Sequence, residues 1–128
     1  MASANRGTSR SLDRPDEHMS KGGVEIDAVM LGDIKVKRAT YPKGWRFSKD
    51  MGAERCYDTH VGYTIAGRIT AELEDGTRLE FGAGDAFIVP PGHEAWVVGE
   101  EPCTIVQFDE GESAAQRFNV EHRAARAA

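Results

Sequence analysis

A chain of 128 residues with 40% hydrophobic and 29% charged side chains has the size and composition of one globular domain. Its formal charge of -5, with basic residues scattered among acidic ones, argues against a phosphate-backbone partner, so no nucleic acid is expected. No run approaches the roughly 20 apolar residues of a membrane span, and no membrane partner is expected. The two cysteines, Cys56 and Cys103, make no disulfide framework, which points to a reducing, cytoplasmic setting.

Residues 1–22 are rich in Ser, Arg and Asp, with Leu12 almost the only sizeable apolar side chain. They lack the apolar centre of a secretion signal. Asp13, Asp16 and Glu17 count against a mitochondrial presequence, so this segment reads as a disordered N-terminal arm. His18 lies in it and reads as surface. From Val24 onward, short apolar runs are cut by Gly, Pro and Asp. Ile34 to Lys37 alternates as a half-buried strand does. Gly44-Trp45-Arg46-Phe47-Ser48 is a second short alternating run. Val61–Ile65 and Arg68–Leu73 are strand-like and separated by Ala66-Gly67. Asp75-Gly76, before Thr77–Phe81, signals a two-residue hairpin. Ala86–Val89 ends at Pro90-Pro91-Gly92. Ala95–Val98 and Cys103–Phe108 follow. Strands this short and regular predict an all-β antiparallel sandwich or barrel over residues 23–112. The Ala-, Arg- and Glu-rich tail, residues 113–128 with His122, is the one segment with helical composition.

Two segments carry a family resemblance: His60-Val61-Gly62-Tyr63-Thr64-Ile65-Ala66-Gly67, and Gly84 to Trp96 with the sequence GDAFIVPPGHEAW. Each resembles half of the two-part signature of the cupins, whose jelly-roll barrels (double-stranded β-helices) often hold a metal. Gly67 matches the closing glycine of the first motif, and Gly84, Pro90 and Gly92 match the second. The usual ligands do not carry over by identity. His60 stands at the glutamate position of the first motif. Its two histidine positions fall on Cys56 and Glu54 with a shorter spacer, or on Arg55 and Ala53 with a longer one. In the second motif the histidine and asparagine positions hold Ala95 and Gly99, and a histidine comes two residues early as His93.

Strand parity offers a substitute site. With extended backbone, Glu54, Cys56, Asp58, His60, Gly62 and Thr64 share one face, and Val61, Tyr63 and Ile65 the other. The small residues at 62 and 64 would leave room beside His60. The resemblance makes the strands of His60 and His93 neighbours. Cys56, His60 and His93, with Glu54 as a fourth ligand, would suit zinc, or iron or copper. Glu54 has two other readings, a general base and a solvated loop pair with Arg55. Cys56 has the alternative of a small buried hydrophobe, and His60 that of a hydrogen-bonded core histidine. Trp45 and Phe47 are candidates for the wall of a ligand cavity or for core. Arg46 is the candidate for holding a carboxylate.

The resemblance implies a metal-dependent lyase, isomerase or dioxygenase acting on a small oxygenated molecule, with Glu54 and His60 as catalytic residues. The competing expectation is a ligand-binding or sensing cupin without metal. A homodimer is expected, with the strands between Val24 and Tyr41 as its edge-pairing elements.

Overall fold

The computed structural model describes residues 7–109; the expected C-terminal helix at 113–128 lies outside them. Nine strands and one helical turn follow in order: β1 Glu17–Lys21, β2 Val24–Leu31, β3 Ile34–Tyr41, α1 Phe47–Asp50, β4 His60–Ala66, β5 Arg68–Glu72, β6 Arg78–Gly82, β7 Ala86–Val89, β8 Glu94–Val98 and β9 Cys103–Asp109. They form a six-stranded sheet in the order β1-β2-β3-β9-β4-β7 and a three-stranded sheet β6-β5-β8. Every pairing is antiparallel, giving the expected all-β jelly roll.

Alternation decides which residues fill the space between the sheets. On β4, Gly62 and Thr64 are buried while Val61, Tyr63 and Ile65 are exposed. On β9, Cys103, Ile105 and Gln107 point inward, and on β7 Phe87 and Val89 do so. β5 and β8 contribute Ile69, Ala71, Ala95 and Val97, and Trp45 enters from the loop after β3. Phe81 and Phe87 stack across the sheets with centroids 4.3 Å apart.

Three local expectations are corrected. Residues 17–21 form β1, paired with β2 from Glu17↔Ala28 to Lys21↔Val24. Polar composition hid this strand because all five of its residues are exposed. β1 is therefore the sheet's edge, and β2 and β3, the strands expected to pair with a second copy, are interior. The Asp75-Gly76 hairpin exists with a longer loop. Gly76 N–H donates to the Leu73 carbonyl and Leu73 N–H to that of Thr77, a type I turn closed by a left-handed glycine at φ +86°. Ala66-Gly67 separates its two strands as expected, and does so as a crossing between sheets. β4 and β5 belong to different sheets, and the chain crosses between them at Gly67, whose φ is +79°. A side chain there would press into the backbone of Pro102 and Cys103.

Candidate metal centre and cavity

The loop between α1 and β4 is bound to the turn before β8 by a two-sided backbone clasp. Cys56 N–H donates to the His93 carbonyl at 2.8 Å, and the Cys56 carbonyl accepts from the N–H groups of Gly92 and His93 at 2.8 and 3.1 Å. Arg55 Nη1 reinforces the clasp by donating to the carbonyls of Glu72 and Gly92 at 3.2 and 3.1 Å. Cys56 and His93 thus stand opposite each other in an isolated antiparallel bridge. His60, the first residue of β4, faces the same interior from the other sheet. The strands of His60 and His93 therefore lie in different sheets and are not the neighbours that the resemblance implies. The two rings meet across the barrel instead, with centroids 5.0 Å apart.

The ligand atoms of Cys56, His60 and His93 all lie within 4.8 Å of one another. Cys56 Sγ is 3.5 Å from His60 Nε2. Tetrahedral ligation at metal–ligand distances of about 2.0–2.3 Å spaces its donors roughly 3.3–3.8 Å apart, so the Cys56–His60 pair already fits. Each imidazole has its Nδ1 on an acceptor. His60 Nδ1–H donates to Gln107 Oε1 at 2.8 Å, and His93 Nδ1–H donates to the Pro90 carbonyl at 2.7 Å. Both rings are thereby held as the tautomer whose Nε2 carries a free lone pair, the usual arrangement behind metal-ligating histidines. Gln107 is itself oriented, its Nε2 donating to Tyr41 Oη at 3.3 Å. The residues present fit a first-row divalent cation.

Burial, then the neighbouring His93, pushes the His60 pKa down to about 4, against the opposing effect of its hydrogen bond to Gln107. Burial also lowers His93 and raises the Cys56 thiol. Both imidazoles are neutral at pH 7, the protonation state that binds metal. This sets a pH dependence for the metal-free protein. The unfolded chain takes up a proton at His60 near pH 6.5 and the folded chain refuses it until about pH 4. Stability is therefore complete above 6.5 and lost as pH falls toward 4. At about 1.4 kcal/mol per pH unit this reaches at most about 3 kcal/mol. Urea unfolding at pH 7.5, 5.5 and 4.5 should show the decline, and His60→Leu should reduce it to the share that His93 contributes. An unchanged slope in that variant would assign the effect elsewhere.

The three ligand candidates line a cavity of about 370 Å³ whose walls include Trp45, Phe47, Phe81 and Phe87. Trp45, 4% exposed, and Phe47 are thus wall and core at once. Tyr41 packs edge-on to Trp45 at 4.7 Å, and Trp45 Nε1 is buried without a hydrogen-bond partner among the described residues. Glu54 is exposed and belongs to neither the cluster nor the cavity wall, because the Cys56–His93 clasp turns the chain before it. Arg46 also points elsewhere. It pairs with the buried Glu94 at 3.2 Å and lies 4.4 Å over the Trp96 ring, so its carboxylate partner is internal. Gly62 leaves no ligand space, since the Val106 carbonyl and the Phe87 ring occupy it.

Gln107 and Tyr41 are neighbours of the cluster that the strand pattern did not single out, whereas Asp58, which parity groups with Cys56 and His60, lines the cavity with them. Asp58 Oδ2 lies 4.0 Å from Cys56 Sγ. The available signal was Gln107 itself, a polar residue at an inward position between Ile105 and the strand end.

No protein-family model matches the chain, and no curated protein matches it in sequence. Solved structures do match in three dimensions. A Cupin 2 conserved barrel domain protein from Salinispora arenicola superposes with a TM-score of 0.57 at 20% identity, over 90% of this chain and 98% of that one. An RmlC-like cupin from Shewanella frigidimarina gives 0.54 at 17% identity, over 80% and 87%. The cupin domain of Schizosaccharomyces pombe Cnp3 gives 0.54 at 13%, over 78% of this chain and 66% of that chain. Identities this low speak to the fold.

Proposed function

With the chain a small cupin by fold, we propose that it is a metal-dependent enzyme acting on a small oxygenated organic molecule, of the lyase, isomerase or dioxygenase type. The observation that carries the reading is the convergence of Cys56 Sγ and the two histidines, within 4.8 Å, on the wall of a largely apolar cavity. Cys56, His60 and His93 would hold the ion as three protein ligands, which in a tetrahedral centre would leave a fourth position for a substrate oxygen or water. A bound zinc, iron or copper ion supplies Lewis acidity toward a carbonyl or hydroxyl oxygen there. The chain's residues do the rest. Gln107 and the Pro90 carbonyl hold the imidazoles in the ligating tautomer. The aromatic side chains of Trp45, Phe47, Phe81 and Phe87 give the cavity an apolar wall against which the body of a substrate packs. Asp58, rather than Glu54, is the carboxylate placed to accept a proton beside the centre.

A second reading, a ligand-binding cupin without metal, is supported by the same apolar walls, with His60 hydrogen-bonding the ligand. No helix among the described residues is long and apolar enough to cross a membrane. Cys56 and Cys103 are free thiols, and a cytoplasmic homodimer belongs to the same proposal.

Metal content by mass spectrometry, on protein purified without a metal-affinity tag, separates the two readings. One first-row ion per chain is expected. The Cys56→Ser variant should lose the thiolate-to-metal absorption of the cobalt-substituted form. A chain that takes up no metal after reconstitution with zinc, iron or copper would leave the second reading standing alone.

A further inference from the structure

The charges around the cavity are unbalanced. Lys21, Lys37 and Arg55 line it against the single carboxylate of Asp58, in a protein whose overall charge is -5. Arg55 is committed to the carbonyls of Glu72 and Gly92. Lys21 and Lys37 are not committed. Among the described residues, every lysine and arginine side chain other than Arg14, Lys21 and Lys37 has a carboxylate or carbonyl partner. Two of these three unpartnered cations therefore stand on the wall of one cavity.

Their placement is specific. Lys37 is half-buried on β3, directly across the ladder from Gln107, the residue that holds His60. Its inward neighbours on the same strand, Ala39 and Tyr41, line the cavity too. Lys21 ends β1 opposite Val24, another lining residue. Neither ammonium group has a carboxylate partner among the described residues, and a ligand carboxylate in the cavity would supply one through charge-assisted hydrogen bonds.

We infer that the cavity takes a small organic anion, an apolar or aromatic body bearing a carboxylate, with the carboxylate held by Lys37 and Lys21 and the body against Trp45 and Phe47. This rests on the reading of the cavity as the ligand site and adds the class of ligand. It does not depend on the metal, because the lysines are separate from the three metal-ligand candidates.

Benzoate and benzamide, nearly isosteric but differing in charge, are the probes, titrated calorimetrically into metal-free and zinc-loaded protein. Benzoate is expected to bind the metal-free protein at least tenfold tighter than benzamide. Lys37→Met should weaken benzoate about tenfold, and Lys21→Met with Lys37→Met more, while benzamide is unchanged and Lys37→Arg retains most of the affinity. Zinc uptake should be unaltered in all three variants, and an unaltered thermal melt excludes misfolding. Equal binding of the two probes, no binding of either, or benzoate affinity indifferent to both lysines would overturn the inference. Zinc uptake without charge discrimination would sink this inference and leave the metal centre intact. Lysine-dependent benzoate binding in a chain that takes up no metal would do the reverse.

Discussion

Replacing Gln107 by leucine is expected to lower zinc affinity about 10- to 100-fold, although Gln107 would not touch the metal. Its Oε1 accepts from His60 Nδ1–H at 2.8 Å, and this bond keeps the proton off Nε2. Leucine has similar volume, so the core should stay filled while His60 loses both its tautomer preference and its orientation. Removing the ligand itself, in His60→Ala, should abolish stoichiometric binding. The pair of variants separates positioning from ligation. In Gln107→Leu, cobalt should still bind with thiolate-to-metal absorption, only more weakly. Competition titration against a chelator at pH 7.5 reads both effects. If Gln107→Leu bound zinc as tightly as the parent, the hydrogen bond would be a packing contact and the case for a prepared centre would weaken. Tyr41→Phe removes the next link, the hydroxyl that accepts from Gln107 Nε2 at 3.3 Å, and should have a smaller effect of the same sign.

The fold was legible in the sequence because its signals are local. Parity along Val61–Ile65 correctly put Tyr63 outside and Gly62 inside. The Pro90-Pro91-Gly92 stop and the Gly67 crossing are single-residue backbone requirements. β1 was not legible: an exposed edge strand of polar residues has no buried face to impose a pattern. The site divides in the same way. His60 was placed by its own strand. Cys56 and His93 are brought together by a backbone bridge between segments 37 residues apart in number, which no local pattern reports. Glu54 is exposed, as its loop reading expects and its ligand reading does not, because residues 51–55 are bends through which strand parity does not carry. Arg46 was offered a ligand's carboxylate when Glu94, buried at the start of β8, already supplied one.

The largest effect on stability is expected at Gly62, through the same wall that carries the site. Gly62 pairs with Phe87 on β7 and with Gln107 on β9. Its backbone needs no left-handed conformation, so what requires glycine there is space. A Cβ would press into the Val106 carbonyl oxygen and come within 3.0 Å of Phe87 Cζ. The phenyl ring can shift. The carbonyl cannot move without disturbing the β4–β9 ladder, so Gly62→Ala should cost about 3 kcal/mol or more in urea unfolding. Gly76 is the matched control. It has φ +86° with open space where its Cβ would stand, so alanine there carries only the conformational penalty, about 1 kcal/mol. A Gly62→Ala loss no larger than that of Gly76→Ala would mean that β4 and β9 have room to separate. Because Gln107 is the ladder partner of Gly62, that separation would also displace the acceptor on which His60 depends. Gly62→Ala should therefore weaken zinc binding as well as the fold, and Gly76→Ala should leave it untouched.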